Sequence, residues 1–503
     1  MRYLPTLIVS VVFAVGIAAH TKAGDGPQRA AGGKEDAVTT FPGPAGEEPS
    51  DDFEVRVNGK PVFVYRARVS AVPLNQVWPG YQRPLDQTEL ASFAYWDMSG
   101  PVSVEIASKR PLGEVAIRPT SFGIRPELRG DRISFRLAEP RHLTVEVNGT
   151  HHALHLFAGP PEQNIPSPDD PNVRYFGPGV HRPGRIVLRS NETVYVAGGA
   201  VVYGSVHATG AENVTIRGRG IIDVSPFPRG DGGGAIRLSD CQNVTIDGVV
   251  MRDPDVWCCS LFGCRKAGIS NVKLIGLWRY NADGIDLCNS QDVTVRDSFV
   301  RSFDDSIVLK GLKGRYDDRP VSGIRVRRCV IWNDWGRAME IGAETCAPEI
   351  RDVVFEDCDV IRTCHIAMDI QHGDRATVED IRFENIRVEI DDEAYQPRIQ
   401  RQRDEKYGVE KSSYCPALLV LVIRKNYYSK DPQRGRIRDV LVKDVVVTGK
   451  HVPRSSIRGH DEEHLVENVG IENLRIGGRI IATAEEGRFT VGEHARNVQF
   501  RLQ

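Results

Sequence analysis

From residue 213 onward the chain repeats one short pattern, a polar residue followed by an apolar–any–apolar triplet. Asn213-Val214-Thr215-Ile216 recurs as Asn243-Val244-Thr245-Ile246, Asn271-Val272-Lys273-Leu274, Asp292-Val293-Thr294-Val295 and Gly323-Ile324-Arg325-Val326. It continues through copies that start at Asp352, Asp380, Asp439, Asn468 and Asn497, in steps of 30, 28, 21, 31, 29, 28, 59, 29 and 29 residues. A unit this short cannot bury an apolar face alone, so its copies must stack, with alternate residues of each strand filling a continuous core. The pattern predicts an all-β chain whose larger part, residues 176–503, is a right-handed parallel β-helix. The 59-residue step is expected to hold one coil without the motif, with a strand over Leu418 to Ile423, plus an insertion. That insertion, Asp391 to Tyr414, is dense in charge and reads either as a loop beside the binding face or as solvated decoration.

Ahead of the repeat, residues 51–160 alternate over short runs such as Phe53-Glu54-Val55-Arg56-Val57 and Leu143-Thr144-Val145-Glu146-Val147, with Asn58-Gly59 and Asn148-Gly149 as turn signals. This predicts a β-sandwich domain. Its Tyr81, Tyr95 and Trp96 read as core or interdomain packing, with sugar binding as the alternative. Residues 161–175, rich in Pro, Asp and Asn, are expected to link the two domains, and residues 24–50 to be a disordered linker. Residues 1–23 read as a cleaved export signal: Arg2, an apolar run over Leu7 to Ala19, and Thr21-Lys22-Ala23 as a small-residue cleavage site. The run is short for spanning a bilayer, so a secreted or periplasmic protein is expected.

A formal charge of −2 gives no global attraction to nucleic acid or a membrane surface, and a monomer is expected. All ten Cys fall between Cys241 and Cys415 without zinc spacing, and Cys329 and Cys358 occupy the same place in successive repeats. They read as buried thiols in a stacked ladder, and neither a metal nor a cofactor is expected.

Two acidic clusters stand out inside the repeat. Asn281-Ala282-Asp283-Gly284-Ile285-Asp286 is followed by Phe303-Asp304-Asp305-Ser306-Ile307, with Lys310 just beyond. On neighbouring coils, at strand spacing of about 4.8 Å, Asp283 faces Asp304 and Asp305. Carboxylates this close cannot all ionise, so at least one keeps its proton and can protonate a glycosidic oxygen while an ionised one activates water. Asp and Asn also cap turns in such coils, and Asp286 stays open between a supporting role and a turn.

These clusters resemble those of the polygalacturonases, glycoside hydrolase family 28, as do Gly198-Gly199-Ala200-Val201-Val202-Tyr203-Gly204 and Gly218-Arg219-Gly220-Ile221-Ile222-Asp223. A β-sandwich ahead of the β-helix is similar to the dextranase and isopullulanase family, glycoside hydrolase family 49. The resemblance implies an inverting glycoside hydrolase in which Asp304 is the general acid and Asp283 and Asp305 hold the attacking water. The chain departs from family 28 on the next coils. Where the family has Gly-His-Gly, this chain has Gly336-Arg337-Ala338, ahead of Met339-Glu340-Ile341. Where it has Arg-Ile-Lys, this chain has Asp369-Ile370-Gln371, followed by His372. Losing two cations removes the charge complement of a uronic acid, so plain galacturonan is not the expected substrate. Asp369, Gln371 and His372 suit the hydroxyls of a neutral sugar, or an amino or otherwise modified one. Arg337 reads either as a carboxylate or sulfate ligand or as the partner of Glu340 or an aspartate. Lys310 reads either as a cleft residue or as a surface lysine. Trp278, Tyr280, Trp332 and Trp335 flank the acids and are candidates for stacking on sugar. A polysaccharide or oligosaccharide substrate is expected, with a β-helix polysaccharide lyase or a non-catalytic carbohydrate-binding or adhesion β-helix as the alternatives.

Overall fold

The polar residue that opens each repeat sits in the left-handed region: Asn213, Asn243, Asp292, Asp352, Asp380, Asp439, Asn468 and Asn497 have φ between 53° and 57°. Asn and Asp tolerate this conformation, and the one glycine in the column, Gly323, adopts it at φ 67°. The column is tied coil to coil by side-chain amides, with Asn243 Nδ2 donating to Asn213 Oδ1 at 2.6 Å and Asn497 Nδ2 to Asn468 Oδ1 at 2.8 Å. The computed structural model describes residues 37–71, 85–316, 318–390, 398–399, 408–409, 416–449 and 451–502.

The repeat strands form a 12-stranded parallel sheet from Val173–Phe176 to Ala495–Arg501. Two further parallel stacks complete each coil, so the chain winds as a right-handed parallel β-helix. One stack runs through Val250–Arg252, Lys273–Ile275, Phe299–Ser302 and Val330–Asn333. The other runs through Cys259–Phe262, Ile285–Cys288, Ile307–Gly311, Arg337–Thr345, Ile366–His372 and Ala417–Ile423. Their inward residues make a single apolar core that includes Val214, Ile246, Ile285, Ile307, Met339 and Met368. The first strand, Val173–Phe176, begins inside the stretch expected to be the 161–175 connection.

A sandwich of six-stranded and five-stranded sheets precedes the β-helix. It packs on the stack that contains Val330–Asn333, where Tyr65, Phe93, Tyr95 and Phe157 bury Phe299, Trp332 and Ile361. Tyr95 and Trp96 are 4% and 1% exposed, so both serve packing rather than sugar binding. Tyr81 lies outside the described residues, as do the expected export signal and most of the 391–414 insertion. Within that insertion Arg398–Ile399 and Gly408–Val409 pair as antiparallel strands.

The pairings correct three of the sequence expectations. The linker expected over 24–50 is shorter at its C-terminal end, because Val38–Thr40 is a strand of the sandwich that pairs Val38 with Met98 and buries Val38. The third repeat copy is displaced: Val244 pairs with Ala267 and Ala267 with Val293, so the column passes through Lys266, at φ 54°. Asn271 lies at the next corner, also at positive φ, which is why it mimics the motif. Finally, the 59-residue step is one coil and not two. Thr377–Glu384 pairs directly with Arg436–Lys443, while Ala417–Ile423 belongs to another face and stacks on Ile366–His372. The additional length is a loop within that coil.

Among the described residues nine cysteines are free and all are buried, as the thiol reading expects. Cys329 and Cys358 precede paired strand residues, Val330 and Asp359, on successive coils.

Candidate active site

Strand alternation divides the stack at Ile285–Cys288 into two sets of side chains. Ile285, Leu287, Ile307, Leu309, Met339, Ile341, Met368 and Ile370 point into the core. The intervening residues point outward, and the register lines up Asp286, Val308, Glu340 and Asp369 in one row across four strands. The turns that enter these strands carry Asp283, Asp304 and Asp305, and Arg337 opens the strand Arg337–Thr345. Backbone bonds stack those turns: Gly284 N–H donates to Asp305 O at 2.8 Å and Ser306 N–H to Arg337 O at 2.7 Å. The carboxyls of both clusters therefore meet on one face, together with Lys310, Glu340, Asp369 and Gln371.

Two cations serve this face. Lys310 Nζ lies 3.7 Å from each of Asp283 Oδ2, Asp305 Oδ2 and Glu344 Oε2, and 5.1 Å from the Trp257 ring centroid. Arg337 Nη1 lies 3.6 Å from Asp305 Oδ1, and its Nε lies 3.4 Å from Asp369 Oδ2 and 3.9 Å from Glu340 Oε1. Lys310 is buried within this face and is not a surface lysine, and Arg337 is the partner of Glu340 and two aspartates. Gln371 accepts from Arg424 at 3.4 Å.

The adjacent aspartates have unlike surroundings. Asp305 Oδ1 accepts the backbone N–H of Arg337 at 3.0 Å in addition to its ion pairs. Among the described residues Asp304 Oδ2 has only a long contact, 3.5 Å, from the neutral amide of Asn281, whose Oδ1 is held by Arg229 at 2.8 Å. Burial and the Asp305 charge drive the Asp304 carboxyl well above the usual range, outweighing the pull of Arg337 and Lys310. Burial raises Asp305 too, but Arg337 and Lys310 outweigh it and hold this carboxyl below the usual range. Burial, with Asp286 and Asp304 nearby, raises Asp283 strongly. Burial pushes Asp286 up to about 8 against the pull of Lys310, and Asp369 up to about 7 against Arg337. Glu340 is likewise raised, by burial and then by Asp305. Asp286 and Glu340 meet other carboxyls: Asp286 shares a hydrogen bond with Asp283, and Glu340 with Asp305. The face thus holds neutral acids beside one fixed anion, which equips it to donate a proton at one atom and accept one at another.

His372 does not join this face. It falls on the core-facing side of its strand, fully buried, with Nδ1 2.8 Å from Thr345 Oγ1, and burial lowers its imidazole to about 4. Trp332 is fully buried under the sandwich with Nε1 bonded to Asp334, and Trp278 is 5% exposed and bonded to Asp253. Of the four aromatic candidates only Trp335 is half-buried; it stacks on Phe303 at 5.6 Å and lies 5.6 Å from Tyr280. Sequence reasoning missed Asn281 as a partner of Asp304, and also Trp257, Glu344 and Arg424. Asn281 was legible as part of the first acidic cluster. Trp257 and Arg424 come from loops, and Glu344 from the far end of the strand Arg337–Thr345, and their distance in sequence from the acids hides their approach.

Among the described residues one group has metal-ligand spacing, the buried Cys346, Asp374 and Asp431, with ligand atoms within 4.8 Å of one another. Its charges are already met: Asp431 pairs with Lys313 at 2.7 Å and Arg375 at 3.1 Å, and Asp374 accepts backbone N–H groups from Thr345, Lys430 and Asp431.

Residues 205–403, which contain the whole acidic face up to Gln371, match the family described as "Glycosyl hydrolases family 28". A curated relative, an endo-polygalacturonase of Pectobacterium parmentieri, is 28% identical over 109 residues, 21% of this chain. The matched segment spans 25% of that protein's length. The solved structure of Dex49A from Penicillium minioluteum superposes with a TM-score of 0.68 at 18% identity, covering 92% of this chain and 96% of that one. At that identity the likeness is one of fold, and its coverage takes in the sandwich as well as the β-helix. Residues 205–403 therefore carry the family 28 glycosyl hydrolase pattern on the coils that build the acidic face, and the chain shares its fold, sandwich and β-helix together, with Dex49A.

Proposed function

We propose that this protein is an exported glycoside hydrolase that cleaves a poly- or oligosaccharide with inversion at the anomeric carbon. One observation carries the reading: adjacent, buried Asp304 and Asp305 have opposite electrostatic partners, a neutral amide for the first and two cations for the second. Asp304, holding its proton, donates to the glycosidic oxygen as the bond breaks. Asp305, with Asp283 alongside across Lys310, orients water and takes its proton, and the two carboxyls exchange states over one turnover. The match to family 28 supports the reaction class. Asp286, Glu340, Asp369 and Gln371 line the sugar site, with Lys310 and Arg337 beneath it.

The substrate is an uncharged or otherwise non-uronate glycan. Arg337 is committed to the Asp305 anion, and Lys310 lies between that anion and Glu344, so neither offers a free positive charge to a uronate. The same engagement argues against a lyase, which needs a cation to neutralise the uronate carboxylate. Among the described residues no helix is long and apolar enough to cross a membrane. The test is a screen of neutral, uronic and sulfated glycans for new reducing ends, with NMR of the first-formed anomer. New reducing ends of inverted configuration from a neutral glycan are expected, and an ultraviolet-absorbing unsaturated product would overturn the reading.

A further inference from the structure

The hydrolase reading needs two neighbouring carboxyls of one turn to keep different protonation states, and burial alone pushes both the same way. Asp304 and Asp305 are 5% and 6% exposed, so desolvation does not distinguish them. What does distinguish them comes from the next coil. Arg337 approaches Asp305 twice, with its backbone N–H at 3.0 Å and with Nη1 at 3.6 Å, both on Oδ1. Asp304 has no ion pair among the described residues; its Oδ2 meets the Asn281 amide, and its backbone oxygen is held by Asn333 Nδ2 at 2.7 Å. We propose that Arg337 is a positioning residue that sorts Asp304 and Asp305 into two fixed roles, one a proton holder and the other an anion.

The other charged groups around Asp305 do not do this alone. Lys310, on the strand that follows, also lies nearer Asp305 than Asp304, but it divides its charge among Asp283, Asp305 and Glu344 and gives Asp305 no hydrogen bond among the described residues. Asp283 and Asp286 from the preceding coil, and Asp369 from a following one, are acids and oppose an anion at Asp305 when ionised, whereas Glu340, driven towards its neutral form, supports that anion with a hydrogen bond. His365 is held neutral, burial and Arg337 lowering it to about 3. Arg424 acts on Asp369 and contacts Gln371. Asp369 is raised to about 7 and Glu340 is raised too, so towards lower pH the guanidinium serves Asp305 first.

The assignment has its use within the hydrolase reading, but it is tested without substrate. Thermal midpoints are measured for the full chain, Arg337→Gln and Arg337→Lys, each with and without Asp305→Asn, from about pH 4 to about pH 7. Without the guanidinium, Asp305 becomes a buried acid that keeps its proton. The folded variant then binds one proton more than wild type, and its stability relative to wild type falls as pH rises. The midpoint loss of Arg337→Gln is expected to at least double across this range, and the increase to vanish in the Asp305→Asn background. Lys keeps the charge without the planar fork, so Arg337→Lys shows a smaller loss with the same trend, and it carries the test if Arg337→Gln folds at no pH. A loss equal at every pH, or a trend that survives Asp305→Asn, overturns the assignment. A chain that cleaves no glycan yet shows the pH trend would sink the hydrolase reading and leave this one standing.

Discussion

Arg362 of the β-helix and Glu146 of the sandwich form a buried ion pair, with Nη2 2.6 Å from Oε2 and Nε 3.0 Å from Oε1. Arg118 closes on the same carboxylate at 2.8 Å. Burial raises the Glu146 carboxyl, but Arg362 and Arg118 outweigh it and hold it below its usual range. Glu146→Ala would leave two guanidiniums facing each other at the domain junction. Removing one partner of a buried pair costs about 3–5 kcal/mol, and that loss is expected in chemical or thermal unfolding. A variant within about 0.5 kcal/mol of wild type would show that the pair contributes nothing to docking.

The acids separate by what they do for the fold. Asp304→Asn and Asp283→Asn replace carboxyls that are already neutral, so the folded state is kept at wild-type stability or better. Asp305→Asn removes the anion that faces Arg337 and Lys310, so it alone of the three is destabilising. Each substitution is expected to lower glycan turnover by about 10²–10⁴-fold, the usual contribution of general acid–base catalysis. Reducing-end assays beside melting curves check both halves. Asp304→Asn with substantial activity would refute its role as the proton donor.

Several raised carboxyls on one face also fix the sign of the pH dependence of stability. Asp286 sits near 8 and Asp369 near 7, with Asp283, Asp304 and Glu340 raised as well, whereas unfolded carboxyls titrate near about 4. Below that value both states hold these protons. Between about pH 4 and pH 8 the folded chain holds protons that the unfolded chain has released, so this cluster makes stability fall as pH rises. Asp286→Asn removes one such group without changing its shape. Its midpoint is expected to move upward relative to wild type, by an amount that grows from about pH 4 to about pH 8. A difference that stays constant across that range would mean that Asp286 does not hold its proton.

The coil architecture was legible because its signal is repeated and local. Asn or Asp at a left-handed position followed by two inward apolar residues recurs wherever a coil turns onto the same sheet. The reading failed where a different residue fills that position. Lys266 takes it at φ 54°, and Asn271, at the next corner, took its place in the count. It failed again where a loop lengthens one coil, since spacing alone does not distinguish a missing repeat from an insertion; the pairing of Thr377 with Arg436 does. In the site, the acids were legible from their spacing. The inward turn of His372 was open to strand alternation from Met368 and Ile370, but its proximity to Asp369 and Gln371 masked it. The sequence leaves Arg337 between two readings because its partners come from three different coils.

Gly336 shows how closely the coil above the acids is fitted to them. A Cβ placed there would lie 2.4 Å from the Asp304 carbonyl carbon, 2.5 Å from the Asp305 nitrogen and 2.7 Å from Asp305 Oδ1. Two of those atoms are backbone, so the clash cannot be relieved by turning a side chain, and the turn that carries both carboxyls must shift. Gly336 N–H also donates to Phe303 O at 3.0 Å, which pins the two turns at this separation. Overpacking of this kind costs about 1–3 kcal/mol, which a β-helix of this size tolerates. The geometry of catalysis is less forgiving, since a displacement of about 1 Å at reacting groups lowers rates by about 10²-fold. Gly336→Ala is therefore expected to remain folded by circular dichroism and to lose activity out of proportion to its stability. Activity that falls only in step with the folded fraction would show that the position of the Asp304–Asp305 turn does not limit the reaction.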